Sequence, residues 1–114
     1  MIAVIFELEP TEGRLGEYLD IAAQMRPMLD EVEGFISVER FQSLSDPRRF
    51  VSLSFFKDEE AIIRWRNLDA HRRAQAQGRK GIFDHYRLRI ARVIRDYGKF
   101  DRDEAPSDSK AAHT

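Results

Sequence analysis

Residues 1–34 read MIAVIFELEPTEGRLGEYLDIAAQMRPMLDEVEG and contain the two periodicities that specify the architecture. In the first, apolar side chains alternate with their neighbours until Pro10 closes the run, which is typical of a β-strand with one apolar face. The alternating apolar residues are Ile2, Val4, Phe6 and Leu8. The sequence therefore predicts a strand at this position.

A helix is predicted next, because apolar residues recur at intervals of three and four positions from Leu15 to Val32. We expect Thr11 to cap the N-terminus of this helix and Gly34 to end it. Pro27 lies inside the pattern, and its ring cannot donate the helical hydrogen bond. The prediction is one helix with a loosened turn at Pro27.

Two further strands are predicted at residues 35–43 and 50–57, which are rich in aromatic and β-branched side chains. Residues 44–48, with the sequence LSDPR, have the composition of a turn, so the two strands should form a hairpin. Asp58 is a suitable N-cap for a second helix that runs to Arg66.

The polar and aromatic groups best suited to chemistry lie in residues 65–97, which read WRNLDAHRRAQAQGRKGIFDHYRLRIARVIRDY. Asn67 or Asp69 can cap a helical continuation over residues 70–77, and the last strand is predicted at residues 86–97. In an unbroken helix, six positions would place Trp65 and His71 about 120° apart. The two side chains therefore meet only if the helix bends between them.

Composition limits the class of protein. A chain of 114 residues with 34% charged residues and a net charge of -1 is typical of a single globular domain without bulk attraction to nucleic acid or membranes. Zero Cys excludes disulfides and thiolate metal sites, the three His lack the spacing of metal ligands, and no export signal is recognisable, so we expect no metal and a cytoplasmic location. The many Arg of the second half alternate with acidic residues, which favours a solvated surface over a nucleic-acid site.

The order strand, helix, strand, strand, helix, strand predicts an α+β fold of the ferredoxin-like split βαβ type, with a four-stranded antiparallel sheet and both helices on one face. The opposite face also carries apolar residues, namely Ala3, Ile5, Ala91 and Val93. Since no third helix is predicted to cover that face, a second copy of the chain is its simplest cover. We predict a homodimer packed sheet to sheet.

We expect the domain to span residues 1–98. Residues 99–114 have almost no apolar content and cannot bury enough surface to offset their conformational entropy. The sequence therefore predicts a flexible, polar C-terminal tail.

Four stretches along the chain together resemble the antibiotic biosynthesis monooxygenase family of small dimeric α/β-barrel proteins. They are MIAVIFELEPTEGRLGEYLDIAAQMRP at 1–27, EGFISVERFQS at 33–43, SFFKDEEAIIRWRNLDAHRRAQ at 54–75 and RVIRDYG at 92–98. The resemblance covers residues 1 to about 98 and implies a dimeric α/β barrel.

The resemblance implies a cofactor-independent monooxygenase that oxidises a quinol or phenol with dioxygen. Such an enzyme positions the aromatic, removes water and helps to remove the phenolic proton. The candidate catalytic residues are His71 as proton acceptor, Trp65 as aromatic wall and Asn67 as hydrogen-bond donor. The candidate substrate-binding residues are Arg40, Gln75, Tyr86 and Phe6.

Each main candidate also has a structural interpretation. Trp65 could anchor the second helix in the core, and His71 could be a surface or capping residue beside Asp69. Arg40 could pack its aliphatic stem and leave its charge in solvent.

Two other functions stay open. Heme-degrading members of the family are expected to have an Asn near the end of the first strand and a His ten residues after the Trp, whereas this chain has Glu7 and Gln75 there. Heme degradation therefore ranks below quinol oxidation. The remaining alternative is a non-enzymatic dimer that binds a small molecule or serves a stress-related structural role.

Overall fold

The structure is a computed structural model that describes residues 1–68, 71–73, 76 and 81–112. The strands are β1 (Ile2–Pro10), β2 (Phe35–Gln42), β3 (Phe50–Phe56) and β4 (Phe83–Arg92). The helices are α1 (Leu15–Asp30), α2 (Glu59–Arg66) and a short α3 (Ser107–Ala112). The predicted βαββαβ order is confirmed, and both hairpin strands end within one residue of their predicted bounds.

The four strands form one antiparallel sheet in the order β2-β3-β1-β4. β1 is paired along both edges, and Phe6, for example, lies opposite Ser52 on β3 and Leu88 on β4. Side chains at even positions of β1 pack with residues of α1 and α2. We call this side of the sheet the helix face and the other side the open face. The prediction that both helices lie on one face of the sheet is confirmed.

The core of the helix face consists of two groups of buried side chains. The first group, here the α2 cluster, contains Ile2, Leu29, Phe56, Ala61 and Ile62, with Trp65 packed against it. The second group, here the α1 cluster, contains Leu8, Tyr18 and Ile82, with Phe6 and Phe83 packed against it. The α2 cluster therefore packs the start of β1 against α2 and the end of α1. The α1 cluster packs the end of β1 against the first half of α1.

Gly34 allows α2 to approach the start of β2 closely. Its φ is +91°, and a Cβ at this position would lie 2.8 Å from the Cβ of Ala61, which is fully buried. Any other residue at position 34 would be strained by the positive φ and also by the contact of its Cβ with Ala61. Asp58 accepts a hydrogen bond from the backbone N–H of Ala61 at 2.9 Å, so the predicted cap of α2 is confirmed.

The predicted cap of α1 is wrong. The N-cap residue is Arg14, and the hydroxyl of Thr11 instead donates to the carbonyl of Gly81 at 2.7 Å. The backbone N–H of Thr11 also donates to the carbonyl of Ile82 at 2.8 Å. Thr11 therefore joins the end of β1 to the start of β4, and the chain turns at Gly13, with φ +81°, before the helix begins.

The bounds predicted for the last strand are also wrong. β4 begins three residues earlier than predicted, because Phe83 pairs with Pro10 beyond a register shift at Asp84. It ends at Arg92, opposite Ile2, because β1 provides only one further partner, the carbonyl of Met1, which accepts from Val93. The length of β4 is set by the residues of β1 that pair with it. The apolar pattern of β4 alone does not contain this information.

Residues 93–112 follow β4 as turns and the short helix α3. The sequence did not predict this helix. The predicted flexibility of residues 99–114 stays a prediction. Among the described helices, none combines the length and hydropathy needed to cross a membrane.

Phe56 is the largest fully buried side chain, at 1% exposure, and it lies between β1 and α2 in the α2 cluster. Truncation to Ala removes its packing and leaves a cavity, so Phe56→Ala should lower the free energy of unfolding by about 3–5 kcal/mol. Urea denaturation followed by circular dichroism measures this change. An unchanged midpoint would show that the α2 cluster does not hold the domain together.

The open face presents Ala3 and Ile5 on β1 and Leu53 and Phe55 on β3, since these residues alternate with those on the helix face. If a second copy covers this face, as predicted, a buried carboxylate without a partner would be costly there. Leu53→Asp should therefore weaken dimerisation at least about 10-fold, as measured by sedimentation equilibrium. Leu19→Asp, at a 44% exposed position on α1, is the matched control and should leave the dimer unchanged.

Candidate functional site

The rings of Trp65 and His71 are in contact, with centroids 4.7 Å apart and planes at 80°. This contact requires a bend, and the chain provides one, because α2 ends at Arg66 and Asn67 has non-helical backbone angles. The expectation that the two side chains meet only if the helix bends is thus fulfilled. The edge-to-face geometry is the arrangement that aromatic rings favour.

Asn67 holds this bend in place. Its side-chain amide donates to the carbonyl of Ile63 at 2.9 Å, and its side-chain oxygen accepts from the guanidinium of Arg72 at 2.8 Å. Both ends of the amide therefore bond to residues on either side of the bend. The catalytic role of Asn67 stays a prediction.

The imidazole of His71 is partly removed from solvent. Its Nδ1 atom is buried and has no hydrogen-bond partner among the described residues. Burial lowers the pKa of His71 below its ordinary value of 6.5, and the positive charges of Arg72 and Arg66 lower it further. The ring is therefore neutral at pH 7, and a neutral ring has one nitrogen free to accept a proton. A buried polar atom without a partner is costly, which is typical of a site that a ligand completes.

Trp65 packs as its structural interpretation predicts, and its role as an aromatic wall for a substrate stays a prediction. It is half-buried and packs against the α2 cluster, so it anchors the helix. It also presents its ring to His71. Packing fixes the orientation of the indole, and a fixed aromatic surface is what a binding site for a flat molecule requires.

A second group of aromatic residues lies on the helix face around Phe6. The ring of Phe6 lies 5.6 Å from that of Phe83 and 5.9 Å from that of Tyr86, while Tyr18 on α1 lies 5.5 Å from Phe83. Of these residues, Phe6 and Tyr86 were predicted from the sequence as substrate-binding residues. Phe83 and Tyr18 were not predicted, because only the packing of α1 on the sheet brings them together.

Arg40 extends this aromatic group across the sheet. Its Nε atom donates to the phenolic oxygen of Tyr18 at 3.1 Å, and its guanidinium lies 5.7 Å from the centre of the Tyr18 ring. Arg40 itself is exposed. It therefore lies on the helix face, with its charge at the solvent boundary and stacked on an aromatic ring.

The two parts of the predicted site lie at different positions along β1. Trp65 and His71 adjoin the cluster that contains Ile2, whereas Phe6, Tyr86 and Arg40 adjoin the cluster that contains Leu8. Ile2 and Leu8 are about 20 Å apart along the strand. The structure therefore places the candidate residues in two groups and does not bring them to a single point, and Gln75 lies outside the described residues.

Small polar side chains separate the two clusters. On β3, Ser52 lies opposite Phe6 and Ser54 opposite Val4, so both serines lie on the helix face. Neither hydroxyl makes a hydrogen bond within the described part of the chain, and Ser54 is buried. Serine side chains fill less of the layer between the sheet and the helices than large apolar residues would.

Exposed apolar side chains continue this region on β4. Tyr86, Leu88 and Ile90 share the helix face with Leu8, Phe6 and Val4, their respective partners on β1. They are 63%, 54% and 48% exposed, which is high for side chains on the apolar side of a sheet. The alternation of Leu88 and Ile90 in the sequence predicted that they share one face of the strand. It did not predict that this face is exposed.

Glu7, which stands where heme-degrading relatives are expected to have an Asn, lies on the open face. It forms ion pairs with Arg89 and, at 3.4 Å, with Arg49. It therefore faces away from Trp65 and His71. Within the described ranges, no three His, Cys, Asp or Glu side chains are grouped closely enough to hold a metal ion.

Three comparisons place the chain among known proteins. The sequence model of the family described as antibiotic biosynthesis monooxygenase matches residues 1–77. A protein of Pyricularia oryzae named jasmonate monooxygenase ABM is 44% identical over 93 residues, which are 82% of this chain and 43% of that protein. The chain thus spans less than half the length of this relative.

Solved structures show the same fold at low sequence identity. Rv0793 from Mycobacterium tuberculosis matches with a TM-score of 0.76 and 13% identity, covering 85% of this chain and 98% of that one. SnoaB, a cofactor-independent oxygenase from Streptomyces nogalater, matches with a TM-score of 0.71 and 9% identity, covering 83% and 94%. At these identities the similarity concerns the fold alone.

The lowered pKa of His71 predicts how stability depends on pH. Between the folded pKa and 6.5, the unfolded chain binds more protons at this residue than the folded chain, so the free energy of unfolding rises with pH through that window. The contribution of His71 is fully present above pH 6.5 and is lost as the pH falls below it. His71→Gln should flatten this part of the profile, as measured by urea denaturation between pH 5 and pH 8.

His85→Gln is the matched control, because His85 is exposed on β4 opposite Glu9. It should keep the slope of the unmodified protein. An identical slope in the His71 variant would show that the imidazole is not desolvated in the folded state.

Proposed function

Because the chain belongs to the antibiotic biosynthesis monooxygenase family, we propose that it oxidises a quinol or phenolic aromatic with dioxygen and without an organic cofactor. The observation that carries this proposal is the contact of Trp65 with a His71 ring whose buried Nδ1 has no hydrogen-bond partner among the described residues. An aromatic wall beside a neutral base is suited to bind a flat phenol and remove its proton. The cytoplasmic location stays a prediction.

In this proposal the substrate ring lies on the helix face beside Trp65. The aliphatic side chains of Leu88 and Ile90, about half exposed, provide an apolar surface for it. The small side chains of Ser52 and Ser54, opposite Phe6 and Val4, would leave room for it. Binding would exclude water from the apolar part of the site and fix the distance between the phenolic oxygen and His71.

His71 then accepts the phenolic proton. Its lowered pKa keeps the ring neutral before the reaction, so it is available as a base at pH 7. The charges of Arg66 and Arg72, which disfavour a protonated His71, also favour the phenolate. The first effect keeps His71 unprotonated before the reaction, and the second stabilises the negative charge that proton removal leaves on the substrate.

The remaining chemistry belongs to the substrate and dioxygen. The electron-rich phenolate passes one electron to dioxygen, and the resulting radical pair combines at a ring carbon to give a peroxide. Loss of water from the peroxide forms a quinone. In total, one phenol and one dioxygen give one quinone and one water, so one oxygen atom enters the product and dioxygen is reduced by four electrons. The protein contributes positioning, desolvation and proton transfer.

A second candidate substrate is a jasmonate. The relative named as a jasmonate monooxygenase is 44% identical over 82% of this chain. The exposed aliphatic row on β4 also suits a substrate with a hydrocarbon chain. A jasmonate has no phenolic proton, so proton removal by His71 as described above would not apply to it.

The test is dioxygen consumption by the purified protein with a panel of hydroquinones, dihydroxynaphthalenes and jasmonic acid. We expect consumption above the autoxidation rate with at least one phenolic substrate. His71→Gln should lower kcat about 100-fold or more, because general base catalysis contributes on this scale. Trp65→Phe should mainly raise KM, because it removes part of the aromatic surface.

His85→Gln serves as the control variant and should retain full activity. Because Trp65 is the only Trp, quenching of its fluorescence reports binding separately from turnover. Quenching without dioxygen consumption would favour the non-enzymatic binding protein. Activity that survives in His71→Gln would contradict the assigned base.

A further inference from the structure

The guanidinium of Arg40 on β2 is held in place by α1. Its Nε atom donates to the phenolic oxygen of Tyr18 at 3.1 Å, and its Cζ atom lies 5.7 Å from the centre of the Tyr18 ring. A long side chain at an exposed position otherwise rotates freely, and ordering it costs conformational entropy. These two contacts hold the positive charge of Arg40 at a defined place on the helix face.

The charge of Arg40 has no acidic partner within the described ranges. Its hydrogen bond there is with the neutral hydroxyl of Tyr18, and the terminal nitrogens Nη1 and Nη2 make none. Arg26 on α1 provides the contrast, because it lies over the ring of Phe35 at 5.6 Å but donates its Nε to the carboxylate of Asp30 at 2.9 Å. The chain thus neutralises the stacked guanidinium of Arg26 and leaves that of Arg40 available to a ligand.

The hydroxyl of Tyr18 is a second donor at this place. It accepts from Arg40, and its own hydrogen has no acceptor among the residues that the structure describes. Tyr18 is only 7% exposed. A buried tyrosine usually finds a partner for its O–H, and a bound ligand can provide one.

Ser52 provides a third donor beside them. It lies directly opposite Arg40 in the pairing of β2 with β3, and its hydroxyl makes no hydrogen bond within the described part of the chain. Residues directly opposite each other on one face of a sheet have Cβ atoms about 5 Å apart. The hydroxyl of Ser52 is therefore within reach of a group that Arg40 binds.

The chemistry of these donors favours a carboxylate. The guanidinium and the two hydroxyls have hydrogens without acceptors in the described ranges, so they suit a ligand that only accepts hydrogen bonds. An ionised carboxylate only accepts, and a guanidinium binds it through planar, charge-assisted hydrogen bonds. One guanidinium balances a single negative charge, whereas a phosphate monoester carries about two.

This group of donors lies away from the reacting end of the proposed substrate. Arg40 lies in the row across the sheet that contains Phe6. Trp65 packs against the cluster that contains Ile2, which is four residues from Phe6 and about 13 Å from it along the strand. A group bound by Arg40 is therefore a different part of the substrate from the phenol that loses its proton.

We propose that Arg40, together with Ser52 and Tyr18, binds a carboxylate that the substrate carries at a distance from its reacting ring. This subsite rests on the proposed function, since the reacting ring is taken to lie beside Trp65. The substrate class is then a phenol with a carboxylate on an alkyl side chain, and the chain lies on the apolar surface around Phe6. Arg40 selects such acids over neutral analogues of the same shape.

The test measures binding by isothermal titration calorimetry in the absence of dioxygen, so that turnover does not contribute to the heat. The probes are para-hydroxyphenyl alkanoic acids with side chains of increasing length, each compared with its primary amide, which has nearly the same size and no charge. At least one acid should bind the full chain about 10-fold or more tightly than its amide, because hydrogen bonds to charged groups contribute on this scale.

Variants assign the preference for the acid to individual side chains. Arg40→Gln should abolish the preference by weakening binding of the acid and leaving binding of the amide unchanged. Ser52→Ala should reduce the preference roughly 3-fold, because it removes one hydrogen bond. Arg26→Gln is the matched control and should keep the preference, since Arg26 already has a carboxylate partner. Circular dichroism verifies that each variant is folded.

Several results would overturn the proposal. They are a preference that survives in Arg40→Gln, and the absence of binding or of any preference for the acids in the unmodified chain. Equal weakening of acid and amide in Arg40→Gln would also overturn it, because Arg40 would then only hold α1 on the sheet.

The outcome is separate from that of the proposed function. Consumption of dioxygen with neutral phenols, without a preference for acids, would support the oxidation and overturn the carboxylate subsite. A preference for acids that depends on Arg40, without consumption of dioxygen, would support the subsite and contradict the oxidation.

Discussion

The pairing of β1 with β3 and β4 along both of its edges is the constraint on which the other features depend. It fixes which residues of β3 and β4 lie beside each apolar position of β1. Because side chains alternate strictly along a strand, a shift of one residue would move every side chain to the other face. The two clusters, the row of exposed residues on β4 and the position of Glu7 all follow from this register.

The helix face combines stability with an incomplete core. Phe56 and the residues around it form a tightly packed end, whereas the centre of the face has Ser52 and Ser54 where large apolar residues would give more stability. A protein near the usual margin of stability gives up packing only where another requirement opposes it. The buried Nδ1 of His71, which has no hydrogen-bond partner among the described residues, is a second cost, beside Trp65. Both costs support the site proposed above.

The open face also carries apolar residues, beside ion pairs such as Glu7 with Arg89. Ile5 on β1 and Leu53 and Phe55 on β3 are only partly buried there. Apolar surface left in contact with water costs free energy, so this is the face that the predicted second copy would cover. The dimer itself stays a prediction.

The sequence by itself determined the element order, the cap of α2 at Asp58, the hairpin and the candidate pair Trp65 and His71. These features depend on local periodicity or on interactions within a few residues, and such signals are visible in a single chain. Only the tertiary structure decided the length of β4, the role of Thr11 as a link to Gly81, and the grouping of Tyr18, Phe83 and Arg40. Those features depend on contacts between segments far apart in the chain, and no local pattern contains the register or the packing that brings such segments together.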